Sequence, residues 1–119
     1  MASIFKDLEE VFTLESEKSP ILISVIIGNG QGGSYLIYNG TKRIAVNKSA
    51  KIVKGGDCLN KSLTIVVVIK DKLLDTNWTS ATINMKEENK PTVTFGPYEY
   101  EVQNDFDTII YNIEIKVIK

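Results

Sequence analysis

The sequence predicts an all-β fold, an antiparallel β-sandwich of seven to eight strands with a short N-terminal amphipathic helix, and three observations carry that reading. Downstream of Pro20, short extended segments recur between turn signals at Asn39-Gly40, Gly55 to Asp57, Glu87 to Pro91 and Gln103 to Asp105. Helical spacing is confined to the first dozen residues, so helices do not alternate with strands and a doubly wound parallel sheet is disfavoured. Several segments alternate apolar and polar residues with the period of two that a half-buried strand requires. At 119 residues the chain is long enough for one core and too short for a catalytic module with a second, regulatory one.

The first element is the expected helix, from Met1 to about Phe12. Ile4, Leu8, Val11 and Phe12 recur at helical spacing, Ser3 stands where it can cap the first turn, and Asp7, Glu9 and Glu10 fill the polar side. The run "ESEKSP" then reads as a polar linker that Pro20 brings to an end. Residues 1–19 are therefore expected to form helix and linker, and residues 20–119 the β domain.

Strands are expected near residues 21–28, 33–38, 41–47, 50–54, 62–70, 78–86, 92–102 and 108–118. Alternation is clean in the later ones. Ala81, Ile83 and Met85 share one side of their strand; Tyr98, Tyr100 and Val102 oppose Glu99, Glu101 and Gln103; Ile109, Tyr111, Ile113, Ile115 and Val117 line one face of the last strand.

Gly28-x-Gly30-x-x-Gly33 has the spacing of a nucleotide-binding loop, but its context denies the chemistry. A dinucleotide fingerprint needs a helix starting at the third glycine, because the helix N-terminus holds the pyrophosphate. "SYLIYNGTK" instead reads as a strand running into an Asn-Gly turn. A kinase glycine loop does join two strands, yet the chain has no histidine for the catalytic loop, "DFD" replaces Asp-Phe-Gly, and no Gly-Lys-Ser/Thr follows for a Walker loop. The glycines are expected to serve a hairpin loop, where they supply positive φ.

Composition narrows the function further. A net charge of −1 with interspersed lysines and carboxylates offers no basic face for nucleic acid. "ILISVIIG" and "LTIVVVI" are far shorter than the roughly 20 residues that span a bilayer as a helix. The acidic, interrupted N-terminus is unlike a signal peptide, so a cytoplasmic location is expected for the chain as given, and secretion only if a leader has been removed. Sequons at Asn39, Asn47, Asn60 and Asn77 are read as turn chemistry.

The absence of histidine removes Ser-His-Asp and Cys-His catalysis and imidazole metal sites. Cys58 is expected to pack rather than react, and the carboxylate pairs Glu87/Glu88, Glu99/Glu101 and Asp105/Asp107 to be solvated charges. No catalytic residue, cofactor or metal is expected.

What remains unusual is strand surface that is apolar on both sides. In "ILISVIIG", Ile21, Ile23, Val25 and Ile27 share one face while Leu22 and Ile26 lie on the other; in "SLTIVVVIK", Leu63, Ile65, Val67 and Ile69 oppose Val66 and Val68. A sandwich buries one face of each sheet, so Leu22, Ile26, Val66 and Val68 call for a further layer. Two covers are available, the N-terminal stripe Ile4, Leu8, Val11 and Phe12 or a second molecule, and they combine if the helix of one copy lies on the sheet of another. The function expected on these grounds is a non-catalytic protein-interaction or assembly subunit, a homo-oligomer, using those eight residues. The alternative is a carbohydrate or small-ligand module in which a loop of Gly28, Asn29, Gly30 and Gln31 approaches Trp78, with the loop at Asp105 to Asp107 nearby. A carboxylate-based enzyme is the third.

Overall fold

The computed structural model of the protein describes residues 2–29, 31–72 and 76–119. The described strands are β1 (Ser3–Thr13), β2 (Ile21–Ile27), β3 (Gly32–Asn39), β4 (Lys42–Val46), β5 (Ala50–Ile52), β6 (Ser62–Lys70), β7 (Trp78–Glu87), β8 (Val93–Glu101) and β9 (Thr108–Ile118), with one 3-10 turn at Gly55–Cys58. They form two sheets, in the orders β1-β9-β6-β3-β4 and β5-β2-β7-β8. Inward side chains of both sheets, among them Ile65, Val67, Ile113 and Ile115 from one and Ile21, Ile23, Ile83 and Met85 from the other, join one core. The eight segments expected downstream of Pro20 all form strands, and the all-β class holds.

The N-terminal helix does not form. Residues 3–13 are instead the edge strand β1, paired parallel with β9 from Ser3 opposite Thr108 to Thr13 opposite Ile118. Ile4, Leu8 and Phe12 are all even-numbered, so they share a strand face as readily as a helix stripe, and that face turns into the core. Val11, the odd member, points outward and is exposed. The eleven paired positions with β9 hold the strand, and the polar residues that alternate with its core-facing ones, exposed Lys6 and half-buried Glu10, find distant partners. Lys6 Nζ lies 4.5 Å from the centre of the Tyr100 ring, and Glu10 accepts a hydrogen bond from the Tyr98 hydroxyl. Burial and the Glu10 carboxylate push the Tyr98 phenol up from its ordinary value.

The sheets are accordingly not wholly antiparallel: β1–β9 is a parallel pair, and the other ladders run antiparallel. A parallel pair needs a long crossover, which here is everything from β2 to β8. The direction of β1 also delivers its C-terminal end to the segment that changes sheets. Leu14 N–H donates to the Ile118 carbonyl at 2.7 Å and its side chain is buried. Both carboxylate oxygens of buried Glu87 then accept backbone N–H bonds at 2.9 Å, one from Glu15 and one from Ser16. Gly55 and Gly56 donate to the carbonyls of Ser19 and Glu17 at 2.7 and 2.9 Å. A Cβ on Gly55 would stand 2.7 Å from Leu14 Cδ1, so glycine is what lets the crossing chain lie this close.

Candidate functional site

Strand register defines what the outer face of the five-stranded sheet presents. One row across it reads Phe5, Ile110, Val68, Ser34 on β1, β9, β6 and β3. The next reads Asp7, Asn112, Val66, Leu36, Val46, and the third Glu9, Glu114, Thr64, Tyr38, Arg43. Phe5, Ile110, Val68, Val66, Leu36 and Val46 therefore form one apolar band that crosses all five strands. Phe5 is 68% exposed and Val46 44%, while Leu36, Val66, Val68 and Ile110 are half-buried by their strand neighbours.

Charge is distributed unevenly around the band. Asp7, Glu9 and Glu114 lie on the β1–β9 side, with Lys116 in the next row beside them, and Arg43 lies on the β4 side, so the third row runs from carboxylate to guanidinium. Glu9 and Glu114 are direct register partners, a like-charge juxtaposition that is destabilising. Glu9, Val11, Ser62, Glu114 and Lys116 line a shallow depression at this end of the face.

The residues singled out from the sequence for a common contact are distributed over three environments. Val66 and Val68 lie in the band. Leu22 and Ile26 lie on the outer face of the other sheet, 49% and 52% exposed, where Leu22 sits between Lys51 and Lys86 and Ile26 beside Thr82. Those two aliphatics are thus isolated by polar neighbours rather than part of a patch. Ile4, Leu8 and Phe12 face the core and cannot cover either outer surface, and Val11 is exposed beside Lys116.

The loop considered for a ligand is largely committed to structure. Gln31 is buried; its Nε2 donates to Asp71 Oδ1 at 2.7 Å and to the Trp78 carbonyl at 3.3 Å, and its Oε1 accepts from Lys72 N–H at 3.1 Å. Gly28 N–H donates to the Ser80 carbonyl at 3.0 Å, and Asn29 takes the left-handed conformation at φ 58°. Gly30 lies outside the described residues. Gly33, the third glycine of the spacing, lies in strand β3; a Cβ there would stand 2.3 Å from the Val68 carbonyl oxygen, so close strand packing accounts for it. The same end of the molecule nevertheless gathers the elements expected there. Val102 N–H bonds the Asn77 carbonyl and Phe106 N–H the Asp71 carbonyl, both at 2.9 Å, and Trp78 and Phe106 are exposed.

The chemically active side chains have structural partners. Cys58 is fully buried, its thiol donates to the Gly55 carbonyl at 3.0 Å, and burial pushes its pKa up to about 11. Asp107 is buried and accepts from Ala2 N–H at 2.8 Å and Asn104 N–H at 3.2 Å. Glu87 holds the crossing chain, as described above, and Glu99 and Glu101 are exposed. The Tyr111 hydroxyl shares a hydrogen bond with Thr79 Oγ1 at 2.9 Å, and burial raises its pKa. Among the described residues no group of three or more His, Cys, Asp or Glu is placed to hold a metal, and no helix is long and apolar enough to cross a membrane.

Phe5, Leu36, Tyr38 and Val46 were not singled out from the sequence. The signal for Leu36 is the unbroken run Tyr35 to Tyr38, which marks a strand apolar on both faces as "IVVV" does. Phe5 and Val46 join the band only through the strand order. No protein-family model matches the chain, and neither a curated protein nor a solved structure matches it significantly.

Proposed function

We propose that this β-sandwich is a non-catalytic protein-interaction or assembly module that works through the outer face of its five-stranded sheet. The observation that carries the reading is the band Phe5, Ile110, Val68, Val66, Leu36, Val46, which the register makes continuous and which no segment among the described residues covers. Fully withdrawing an aliphatic or aromatic side chain from water contributes about 1.5–3 kcal/mol, and these side chains, partly shielded already, still sum to several. That is comparable with the net stability of a domain. Contiguous apolar surface of this kind marks contact sites, whereas single exposed aliphatics such as Leu22 and Ile26 need no explanation.

The test compares the two faces. Val68→Asp on the band and Leu22→Asp on the opposite sheet are each expressed in the chain's own source, and the size of the species carrying the chain is read by gel filtration of the extract. The expected result is a larger species that Val68→Asp abolishes and Leu22→Asp leaves intact. Equal elution of all three as the monomer would contradict the proposal.

Trp78 and Phe106, both exposed at the same end of the molecule, support a second reading, a carbohydrate or small-ligand module. Phe106 holds a left-handed conformation at φ 68°, which is unusual for an aromatic residue and motivates the test of this end of the molecule. A glycan screen in which no ligand raises the melting temperature of the wild type, or in which Trp78→Ala keeps the shift, would remove that reading.

A further inference from the structure

We propose that copies of this chain join head to tail through the two rims of the five-stranded sheet, β4 of one copy adding antiparallel to β1 of the next. The inference goes beyond the interaction reading, because it concerns the rims of that sheet and not its outer face. β1 and β4 end the strand order, and among the described residues Phe5, Asp7, Glu9, Arg43 and Val46 make no backbone hydrogen bond outside the ladders. β1 runs parallel to β9, while the pairs β9–β6, β6–β3 and β3–β4 are antiparallel, so the two rims run in opposite directions. Copies in one orientation thus meet as an antiparallel pair. The rims also differ in charge. Residues 42–54, which hold β4 and β5, contain five exposed cations and no carboxylate, whereas Asp7 and Glu9 on β1 and Glu99 and Glu101 on β8 are exposed on the opposite side.

Hydrogen-bond direction decides which residues pair. The Ala2 carbonyl accepts from Thr108 N–H and Leu14 N–H donates to the Ile118 carbonyl, so even-numbered residues of β1 bond β9, and Phe5, Asp7 and Glu9 turn their N–H and C=O groups to the open rim. Asn47 N–H donates to the Tyr35 carbonyl, and the register shift beside Arg43 makes Ile44 an extra residue, so Arg43 and Val46 turn theirs away from β3. With Arg43 opposite Asp7 of the next copy, Val46 meets Phe5, Ile44 and Ala45 meet Lys6, and Lys42 meets Leu8 with Glu10 on its diagonal. The lysine stems lie along apolar surface while their ammonium groups reach past it, Lys6 to its own Tyr100 and Lys42 toward Glu10. Arg43 opposite Glu9 would instead set Val46 on Asp7, and Arg43 opposite Phe5 would set Val46 on Ser3. The first register alone matches charge with charge and apolar with apolar, and it joins Phe5 and Val46, the exposed ends of the band. Asp7 is available to it: its partner is Asn112 Nδ2 at 3.3 Å, and Lys116 stands two rows away, opposite Val11. Pairing β1 with β1 is disfavoured, because the three central registers set Asp7 on Glu9, Asp7 on Asp7 or Glu9 on Glu9.

Sedimentation of the purified chain from about 10 µM to about 1 mM decides the matter, since so short a junction forms only at such concentrations and comes apart in dilute extract. The mass of the wild type is expected to rise past the dimer, into open chains or a closed ring of three or more, as a heterologous contact demands. Asp7→Arg alone and Arg43→Asp alone each oppose like charges at every junction and are expected to weaken growth at least about tenfold. An equal mixture of these two variants is expected to grow to within about threefold of wild type, because each junction of an alternating chain again opposes Arg and Asp. Val68→Asp, which lies away from both rims, is expected to grow as wild type does. Both rim side chains are exposed, so the variants are expected to keep wild-type circular dichroism; Asp7→Lys and Arg43→Glu replace any that do not. A wild type that stays monomeric or stops at a dimer would overturn the head-to-tail contact. Single variants that grow unchanged, a mixture that stays apart, or loss of growth in Val68→Asp would overturn these rims as its site.

Discussion

Glu9 and Glu114 stand side by side across the parallel β1–β9 ladder, two carboxylates in register on the outer face of the five-stranded sheet. Like charges directly opposite destabilise a sheet, and Lys116 in the next row offsets that only in part. In the monomer, studied in the Val68→Asp background, Glu9→Gln is therefore expected to raise stability by a few tenths of a kcal/mol, more at low salt than at high. Urea unfolding at low and at high salt checks the sign and its salt dependence; a loss of stability would contradict it.

The crossing segment gives a second prediction. Glu87 accepts two backbone N–H bonds, from Glu15 and Ser16, and is itself almost wholly buried. Bonds to a charged group contribute about 1.5–3 kcal/mol each, discounted here because the two amides are only partly buried. Glu87→Ala is expected to cost about 2–3 kcal/mol in urea unfolding and to speed amide hydrogen exchange at Glu15 and Ser16 before that of β9. Unchanged exchange at those two amides would contradict the anchoring role.

The N-terminal strand can be told from a helix by substitution. Leu8→Ala is expected to cost about 1–2.5 kcal/mol and Phe12→Ala about 3, with Val11→Ala within about 0.5 kcal/mol of wild type in the Val68→Asp monomer background. A helix stripe would make Val11 as costly as Leu8. Comparable losses at both positions would therefore contradict the strand.

Cys58 gives a pH signature. Its folded pKa of about 11 lies above its ordinary value of 9.0 because burial disfavours the thiolate. A raised folded pKa means that the stabilisation is complete below pH 9 and is lost as pH climbs through about 11, where unfolding lets the thiol ionise. The loss amounts to roughly 3 kcal/mol at most. Cys58→Ala is expected to flatten this part of the alkaline limb, leaving the share due to Tyr98 and Tyr111, whose pKa values are also raised. Thiolate absorbance appearing near pH 9 in the folded protein would contradict the burial.

The fold was legible where local pattern and final environment agree. β6 (Ser62–Lys70) and β9 (Thr108–Ile118) match their expected limits because unbroken β-branched or alternating residues leave no other choice. β1 was not legible, because Lys6 and Glu10 share the strand face of Ile4, Leu8 and Phe12 and disguise the alternation. Their partners Tyr100 and Tyr98 lie some 90 residues away, and no local signal announces them. Inward charges of this sort are a device for protecting an edge strand, so the misleading residues belong to the edge itself. For the surface, two-sidedness identified Val66 and Val68, but it gave Leu22 and Ile26 equal weight. Only strand order separates a continuous band from two isolated aliphatics flanked by Lys51, Lys86 and Thr82.

The central claim is that the outer face of the five-stranded sheet is occupied when the chain works, and hydroxyl-radical footprinting in source extract reads it residue by residue. Phe5 and Leu36 in the band and Tyr38 in the row beside it report on this face, and Leu22, Trp78 and Phe106 report on surfaces outside it. Oxidation of the first three several-fold below that in the Val68→Asp variant, with the other three unchanged, is the result predicted. Oxidation of Phe5, Leu36 and Tyr38 at the same rate in wild type and variant would contradict the claim.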